Sequence, residues 1–176
     1  MPAILAFLAL LSAAAFWMYR MRGAADAASE LMDVANDVRL AARRFGFRKR
    51  NNVHPVESID DVNVAIATLG VAYLELDGLP TREGQIALGR GLQNELGASL
   101  SDAEELVVLG RWLMTECGGA EQAITRVSRK LFKMDQGASF TPLLGIIKEI
   151  TAEGGASVSP NQTSALEDIK RAFRIT

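Results

Sequence analysis

The sequence has one cysteine and one histidine among its 176 residues, and these two shortages argue against several kinds of functional site. Cys117 has no disulfide partner within the chain, which is typical of a reducing compartment. His54 has no second histidine with which to share a metal ion or a catalytic dyad. A glycine-rich phosphate-binding loop is also missing. We therefore expect no enzymatic activity, no cofactor and no bound metal.

Aromatic residues are few, at 6%, and no stretch alternates convincingly between apolar and polar residues. The missing alternation argues against a β-sheet, and the abundance of alanine and leucine favours helices. We predict an all-α protein with a single N-terminal transmembrane helix and a bundle of about seven further helices. Charge is unevenly distributed: residues 20–53 hold 8 basic and 4 acidic side chains, whereas residues 54–176 hold 11 basic and 17 acidic ones.

Charged side chains are absent from residues 1–19, and Arg20 and Arg22 follow directly. A helix of this length spans about 28 Å, close to the ~30 Å hydrocarbon layer of a bilayer. The alternative is a cleaved signal peptide, because SAAA at 12–15 resembles a cleavage site, but the usual basic residues before the apolar run are missing. We predict a single-span anchor at residues 1–22 in the inner (cytoplasmic) membrane. Since the arginines follow the span, its N-terminus is outside and the body is cytoplasmic.

Residues 23–53 form the second predicted segment, a helix with a heptad pattern followed by a basic elbow. The helix covers residues 24–45, and its apolar positions alternate in spacing between three and four: Ala24, Ala27, Leu31, Val34, Val38, Ala41 and Phe45. This stripe suits either docking on the chain's own domain or a parallel coiled coil that joins two anchored chains as a homodimer. Alanines weaken the coiled coil, so docking is favoured and the homodimer remains the alternative.

The basic elbow has the sequence RRFGFRKR, and its cations are Arg43, Arg44, Arg48, Lys49 and Arg50. These five residues are the candidate contact site for a protein partner or anionic lipid. A straight helix from residue 23 to residue 48 would carry them about 37 Å along its axis, whereas charge screening at physiological salt acts over about 8 Å. Lipid contact therefore requires the helix to lie along the membrane. A solvated elbow or an acidic protein partner is favoured, and we expect no nucleic-acid binding.

Residues 54–176 form the predicted helical domain, with helices near 58–76, 82–96, 102–117, 120–134, 142–152 and 160–174. The sequence Gly-Ala-Ser begins at residues 97, 137 and 155, and we interpret it as a signal that ends one helix and precedes the start of the next. Gly97 is expected to end one helix in the left-handed conformation, and Ser101 to cap the next with Glu104. The other predicted helix-starting residues are Ser58, Thr81, Thr141 and Ser159, the last with Gln162 as a capping box.

The body resembles the TerB-like family (tellurite-resistance protein B, also found as the N-terminal-like helical domain of DjlA-type co-chaperones). The resemblance is carried by LELDGLPTREGQIALGRGL at 74–92 and EITAEGGASVSPNQTSALEDI at 149–169. It implies an all-helical fold of two related halves. Some members of the family bind divalent metal through acids at these turns, which here would be Asp77, Glu83 and Glu153. Gly84 stands where the family's capping-box glutamate is usual, so we expect these acids to have turn and cap roles instead.

Taken together, these features predict a membrane-anchored cytoplasmic interaction module, an adaptor or chaperone-like accessory protein without catalytic activity. Its expected partners are the membrane, through the N-terminal helix, and an unidentified protein. The alternative is an accessory or assembly subunit of a larger membrane complex. That alternative follows from the small residues along one face of the predicted anchor, which permit close helix packing: Ala3, Ala6, Ala9, Ser12 and Ala13.

Overall fold

A computed structural model of the chain describes residues 35–153 and 158–175, apart from the side chain of residue 153. The chain divides into two compact units, residues 1–37 and residues 38–176, and the second unit is the helical body. Within the described ranges no helix is both long enough and apolar enough to span a bilayer. The anchor predicted at residues 1–22 lies outside them.

All regular secondary structure among the described residues is helical, which confirms the all-α prediction. Helix α1 covers residues 35–44, and a short 3₁₀ helix follows at Pro55–Ser58. The remaining helices are α2 (Val62–Leu74), α3 (Arg82–Leu96), α4 (Leu100–Glu116), α5 (Ala120–Asp135), α6 (Phe140–Glu153) and α7 (Pro160–Ala172). No strand occurs among the residues so described.

Helix α2 lies at the centre of the body. Ten of its 13 residues are buried, so the helix is enclosed on most sides, as its uncharged sequence predicts. It packs mainly against α4 and α5, while α3 packs mainly against α6. The α2–α4 crossing is close because Gly110 of α4 has no side chain: a Cβ atom there would lie 3.1 Å from the backbone nitrogen of Thr68.

Three predicted helix ends are confirmed. Gly97 follows α3 with a φ of 65°, the left-handed conformation that favours glycine. The Thr81 hydroxyl accepts a hydrogen bond from the backbone N–H of Gly84 at the start of α3. Before α7, the Ser159 side chain accepts from the Gln162 backbone and the Gln162 side chain accepts from the Ser159 backbone, which completes the capping box.

The predicted cap of α4 is wrong by two residues. Ser99, not Ser101, is the N-cap: its hydroxyl accepts from the backbone N–H of Asp102 at 3.1 Å, and α4 begins at Leu100. Both serines have an acid three residues later, so both fit the same local pattern. Starting at Leu100 leaves the Ser101 hydroxyl free to accept a hydrogen bond from Arg44, at 3.1 Å.

Two further helix starts differ from the predictions. Helix α2 begins after Asp61, whose carboxylate accepts from the backbone N–H of Asn63 at 2.7 Å, while Ser58 ends the preceding 3₁₀ helix. Helix α6 begins at Phe140, before the predicted Thr141. The carboxylate of Asp135 accepts from the backbone of Ser139 across the α5–α6 turn, at 2.8 Å, so the turn is closed without Thr141.

The end of α1 is part of the body's core. Ala41 is fully buried, and Val38 and Phe45 pack against the same core. These are the last three positions of the predicted heptad stripe, so in this structure they contact the chain's own domain. The earlier positions, at 24–34, lie outside the described residues, and the homodimer through residues 24–45 stays a prediction.

Candidate functional site

The five cations of the basic elbow are divided between internal ion pairs and solvent. Arg44 is paired with the first turns of α4: its guanidinium lies 2.5 Å from an Asp102 carboxylate oxygen and 2.8 Å from one of Glu105. Asp102 lies in the first turn of α4, where the positive end of the helix dipole also favours negative charge. Arg44 therefore fastens α1 to the start of α4.

The rest of the elbow follows α4 towards its C-terminal end. The ring of Phe47 meets that of Trp112 edge-on, with centroids 5.7 Å apart, and the Lys49 ammonium lies 6.0 Å from the Trp112 ring centroid. Lys49 also pairs with Glu116, at 3.4 Å. Edge-to-face aromatic pairs contribute about 0.5–1.5 kcal/mol beyond their buried area. The elbow thus packs along α4 through its aromatic residues as well as its charges.

Arg50 is fixed at the other end of the elbow. Its guanidinium lies 3.2 Å from a carboxylate oxygen of Asp60, and its backbone N–H donates to the Ser58 hydroxyl at 3.1 Å. Arg43 and Arg48 are exposed and take part in no ion pair with any residue the structure describes. Of the five predicted contact residues, these two are the cations that the body itself does not neutralise.

The first turn of α4 lowers the pKa of one acid. The Ser99 hydroxyl donates to the Asp102 carboxylate at 2.6 Å, and this hydrogen bond is the main reason that the Asp102 pKa lies below its ordinary value. The positive charge of Arg44 lowers this pKa further. Both contacts stabilise the ionised carboxylate, so the charge of Asp102 contributes to the junction between α1 and α4.

The two turns that carry the TerB-like resemblance lie next to each other. The amide nitrogen of Asn161 donates to the Asp77 carboxylate at 2.8 Å, which joins the turn after α2 to the start of α7. A pocket of about 250 Å³ lies between these turns and includes Thr81 and Ser159 in its lining. Glu83 is exposed on α3, and the side chain of Glu153 lies outside the described part. Among the side chains that are described, no three His, Cys, Asp or Glu residues converge to hold a metal ion.

Cys117 lies just after α4 and is partly buried. Burial raises the pKa of its thiol, the nearby Arg126 guanidinium lowers it to a smaller extent, and Glu116 raises it. A raised pKa leaves the thiol protonated at neutral pH, where it is a weak nucleophile. Both ring nitrogens of His54 have other partners: one contacts the Glu116 carbonyl oxygen at 3.1 Å, and the other accepts from the Val56 backbone N–H at 3.3 Å.

A second basic surface, not identified from the sequence, lies on α5. Arg126, Arg129, Lys130 and Lys133 line one groove of about 580 Å³ together with two acids, Glu57 and Glu121. We call this surface the α5 groove. Its cations are spaced i, i+3, i+4 and i+7, which places them on one face of the helix over about 10 Å. That spacing is visible in the sequence and indicates a basic helix face, although it does not show whether the cations are neutralised.

The cations of the α5 groove lack the internal acids that the elbow has. Within the described part of the chain, Arg126, Arg129, Lys130 and Lys133 form no ion pair with an acid. The ammonium of Lys130 instead donates to the backbone oxygen of Glu57, at 3.2 Å. The opposite face of α5, which includes Ile124, Val127 and Leu131, is buried in the core. A rigid helix therefore presents the four cations to solvent.

Comparisons with protein-family models, with curated proteins and with solved structures found no match to this chain. The TerB-like resemblance therefore stays a prediction that rests on the residues at 74–92 and 149–169.

Proposed function

We propose that this chain is a membrane-anchored cytoplasmic interaction module, an adaptor or chaperone-like accessory protein without catalytic activity. In this proposal residues 1–22 anchor the protein in the inner membrane, with the N-terminus outside, and the helical body engages a protein partner in the cytoplasm. The TerB-like resemblance agrees with such a role, since that fold occurs beside the membrane anchor of DjlA-type co-chaperones.

The observation that carries the proposal is the packing of residues 38–50 into the body. A long flexible linker would let a tethered domain move freely, but here Ala41 is buried and Arg44, Phe47 and Lys49 contact α4. Only residues 23–37 are left to connect the predicted span to the folded body. A fully extended chain of that length reaches about 50 Å at ~3.4 Å per residue. The covalent tether is thus short, which favours action close to the bilayer.

Membrane fractionation tests the anchor. The full chain should stay with the membranes through high-salt and alkaline washes, and the chain lacking residues 1–22 should be soluble. A reporter fused after Thr176 should be active only if it is a reporter that works in the cytoplasm, because Arg20 and Arg22 follow the span. Activity of an export-dependent reporter at that position would contradict the orientation.

Purification in mild detergent separates the adaptor from the alternative, an accessory or assembly subunit of a membrane complex. An adaptor contacting its partner through charged surfaces should lose that partner as salt is raised. A subunit whose anchor packs against other spans through its small residues should co-purify in fixed stoichiometry and resist salt. Recovery of a salt-resistant membrane assembly would therefore replace the adaptor with the alternative.

A further inference from the structure

The α5 groove has the charge of a binding surface that the fold itself does not satisfy. Residues 54–176 hold 11 basic and 17 acidic side chains, yet four of those 11 cations are gathered on this one helix face. Some cations elsewhere in the described part meet acids of the same chain, as Arg44 meets Asp102 and Arg111 meets Glu75 at 2.8 Å, whereas the elbow's Arg43 and Arg48 do not. The α5 groove differs in gathering four such cations on one helix face. The four α5 cations repel one another at this spacing, which costs stability on an isolated helix. An acidic partner that neutralises these cations would relieve that repulsion.

We propose that the α5 groove binds an acidic segment of a protein partner, with carboxylates spaced one helical turn apart. This inference rests on the proposed function, because it assigns the surface through which the interaction module contacts its partner. Arg126, Arg129 and Lys133 supply side chains for direct ion pairs, while Lys130, whose ammonium donates to the Glu57 backbone oxygen, adds its positive charge. Arginine guanidinium groups can bind carboxylates through two parallel hydrogen bonds, which adds geometric selectivity to the charge attraction.

The geometry favours a peptide over a membrane surface. The cations line a concave groove, and Glu57 and Glu121 line it with them. A flat anionic bilayer would have to approach both carboxylates in order to reach the cations, and like charges repel. A narrow acidic segment can enter the groove and place its carboxylates beside the cations without covering the whole surface.

The overall charge disfavours a nucleic acid. Nucleic-acid-binding domains usually show an extended basic surface, because affinity comes from neutralising many phosphates. Residues 54–176 carry a net excess of acids, 17 against 11 cations, which repels a long polyanion outside the groove. The basic stripe extends over only about 10 Å, which suits a few carboxylates of one segment.

Fluorescence anisotropy with a defined probe tests the inference on the full chain in mild neutral detergent. The probe is a fluorescein-labelled alanine-based helical peptide with glutamates at i, i+3, i+4 and i+7, and its control has glutamine at those positions. The glutamate peptide should bind, with an affinity that falls as salt is raised, and the glutamine peptide should not. Failure of the full chain to prefer the glutamate peptide would overturn the inference.

A pair of charge-reversed variants locates the site. Arg129→Glu with Lys133→Glu should weaken binding by about tenfold or more, because each exposed ion pair contributes a factor of ~2–5 and reversal adds repulsion. Arg82→Glu with Lys148→Glu makes the same change of charge at two exposed cations that do not line the groove, and it should change the affinity by less than about twofold. Equal losses in the two variants, or a loss in the control variant alone, would contradict the α5 groove as the site.

Neutral variants and other anions complete the test. Arg129→Gln with Lys133→Gln removes the charges without introducing repulsion, and it should weaken binding to an intermediate extent while the melting temperature is retained. If the charge-reversed chain fails to fold, this variant decides the outcome. Groove-dependent binding of phosphatidylserine vesicles or single-stranded DNA, stronger than that of the glutamate peptide, would overturn the choice of a protein segment.

The inference and the proposed function fail in different ways. The charge-reversed groove variant should stay in the membrane fraction, since its residues 1–22 are unchanged. A chain that binds the peptide through α5 but is found only in the soluble fraction would contradict the proposed anchor and leave the groove intact. A chain that is anchored in the membrane but does not bind the peptide would contradict the α5 groove as a binding site and leave the proposed anchor intact.

Discussion

Replacement of Gly110 by alanine tests the packing of the two central helices. An alanine Cβ would lie 3.1 Å from the Cα and nitrogen atoms of Thr68 and 3.2 Å from the carbonyl carbon of Ala67. These are backbone atoms of α2, which cannot rotate away as the end of a flexible side chain can. Overpacking of this kind costs about 1–3 kcal/mol, whereas replacing a helical glycine by alanine stabilises by about 0.5–1 kcal/mol. We therefore expect Gly110→Ala to lower stability by roughly 0–2.5 kcal/mol.

Gly89→Ala is the matched control for this variant. Gly89 also lies inside a helix, α3, but nothing lies within 4 Å of the Cβ that alanine would add. This variant should gain the helix propensity alone, about 0.5–1 kcal/mol. The difference between the two variants then isolates the steric cost at the α2–α4 crossing.

Thermal unfolding of both variants, followed by far-UV circular dichroism of the full chain in mild detergent, gives the difference directly. Each kcal/mol shifts the melting temperature by about 2–4 °C for a protein of this size, so the steric cost of about 1–3 kcal/mol should make Gly89→Ala melt roughly 2–12 °C above Gly110→Ala. Equal melting temperatures, or a higher one for Gly110→Ala, would refute the close crossing of α2 and α4.

Three further predictions concern the helix starts and the turn acids. Ser99→Ala should lower the free energy of unfolding, measured by urea titration, by about 1 kcal/mol because the N-cap is lost. Ser101→Ala removes only the acceptor of an exposed hydrogen bond and should change this free energy by less than about 0.5 kcal/mol. The reverse order would contradict Ser99 as the cap. The lowered pKa of Asp102 means that its ionised form stabilises the fold above the ordinary pKa of an aspartate, and this contribution should be lost as pH falls through the lowered value. Asp102→Asn should therefore flatten the dependence of the unfolding free energy on pH below about pH 4. An unchanged slope in acid would count against the contact with Ser99. Adding Ca²⁺, Mg²⁺ or Mn²⁺ should barely change the melting temperature. A metal present at 100 times its dissociation constant would stabilise the fold by about 2.7 kcal/mol, so a real site would be detected. A clear rise that Asp77→Ala removes would demonstrate a metal site.

Local signals in the sequence were sufficient where only one residue could perform the role. Gly97 is the residue that tolerates the left-handed turn after α3, and Ser159 with Gln162 forms a capping box within four residues. The start of α4 is different, because Ser99 and Ser101 both precede an acid by three residues. A contact with Arg44, 57 residues away from Ser101, distinguishes them, and no local pattern contains that contact.

Local sequence patterns do not contain long-range contacts, and this also explains why the elbow is predicted from the sequence and the α5 groove is not. The elbow's cations are contiguous in sequence and therefore conspicuous, but the acids that neutralise them lie far along the chain, such as Glu116, 67 residues from Lys49. The α5 cations are spread among apolar residues, and their i, i+3, i+4 and i+7 spacing is a weaker signal. Whether a cation is neutralised depends on tertiary packing, so the sequence alone did not rank the two surfaces.

Site-specific photo-cross-linking in cell membranes tests the central claim most directly. A photoreactive amino acid at Thr125, which is exposed and lines the α5 groove, should attach the full chain to one protein in the membrane fraction. The attached segment, identified by mass spectrometry, should carry carboxylates one helical turn apart, and the product should disappear with Arg129→Glu and Lys133→Glu. The same amino acid at Gln85, exposed on α3, should give no such product. Equal products from both positions, or a product at Thr125 that survives the charge reversal, would contradict the account.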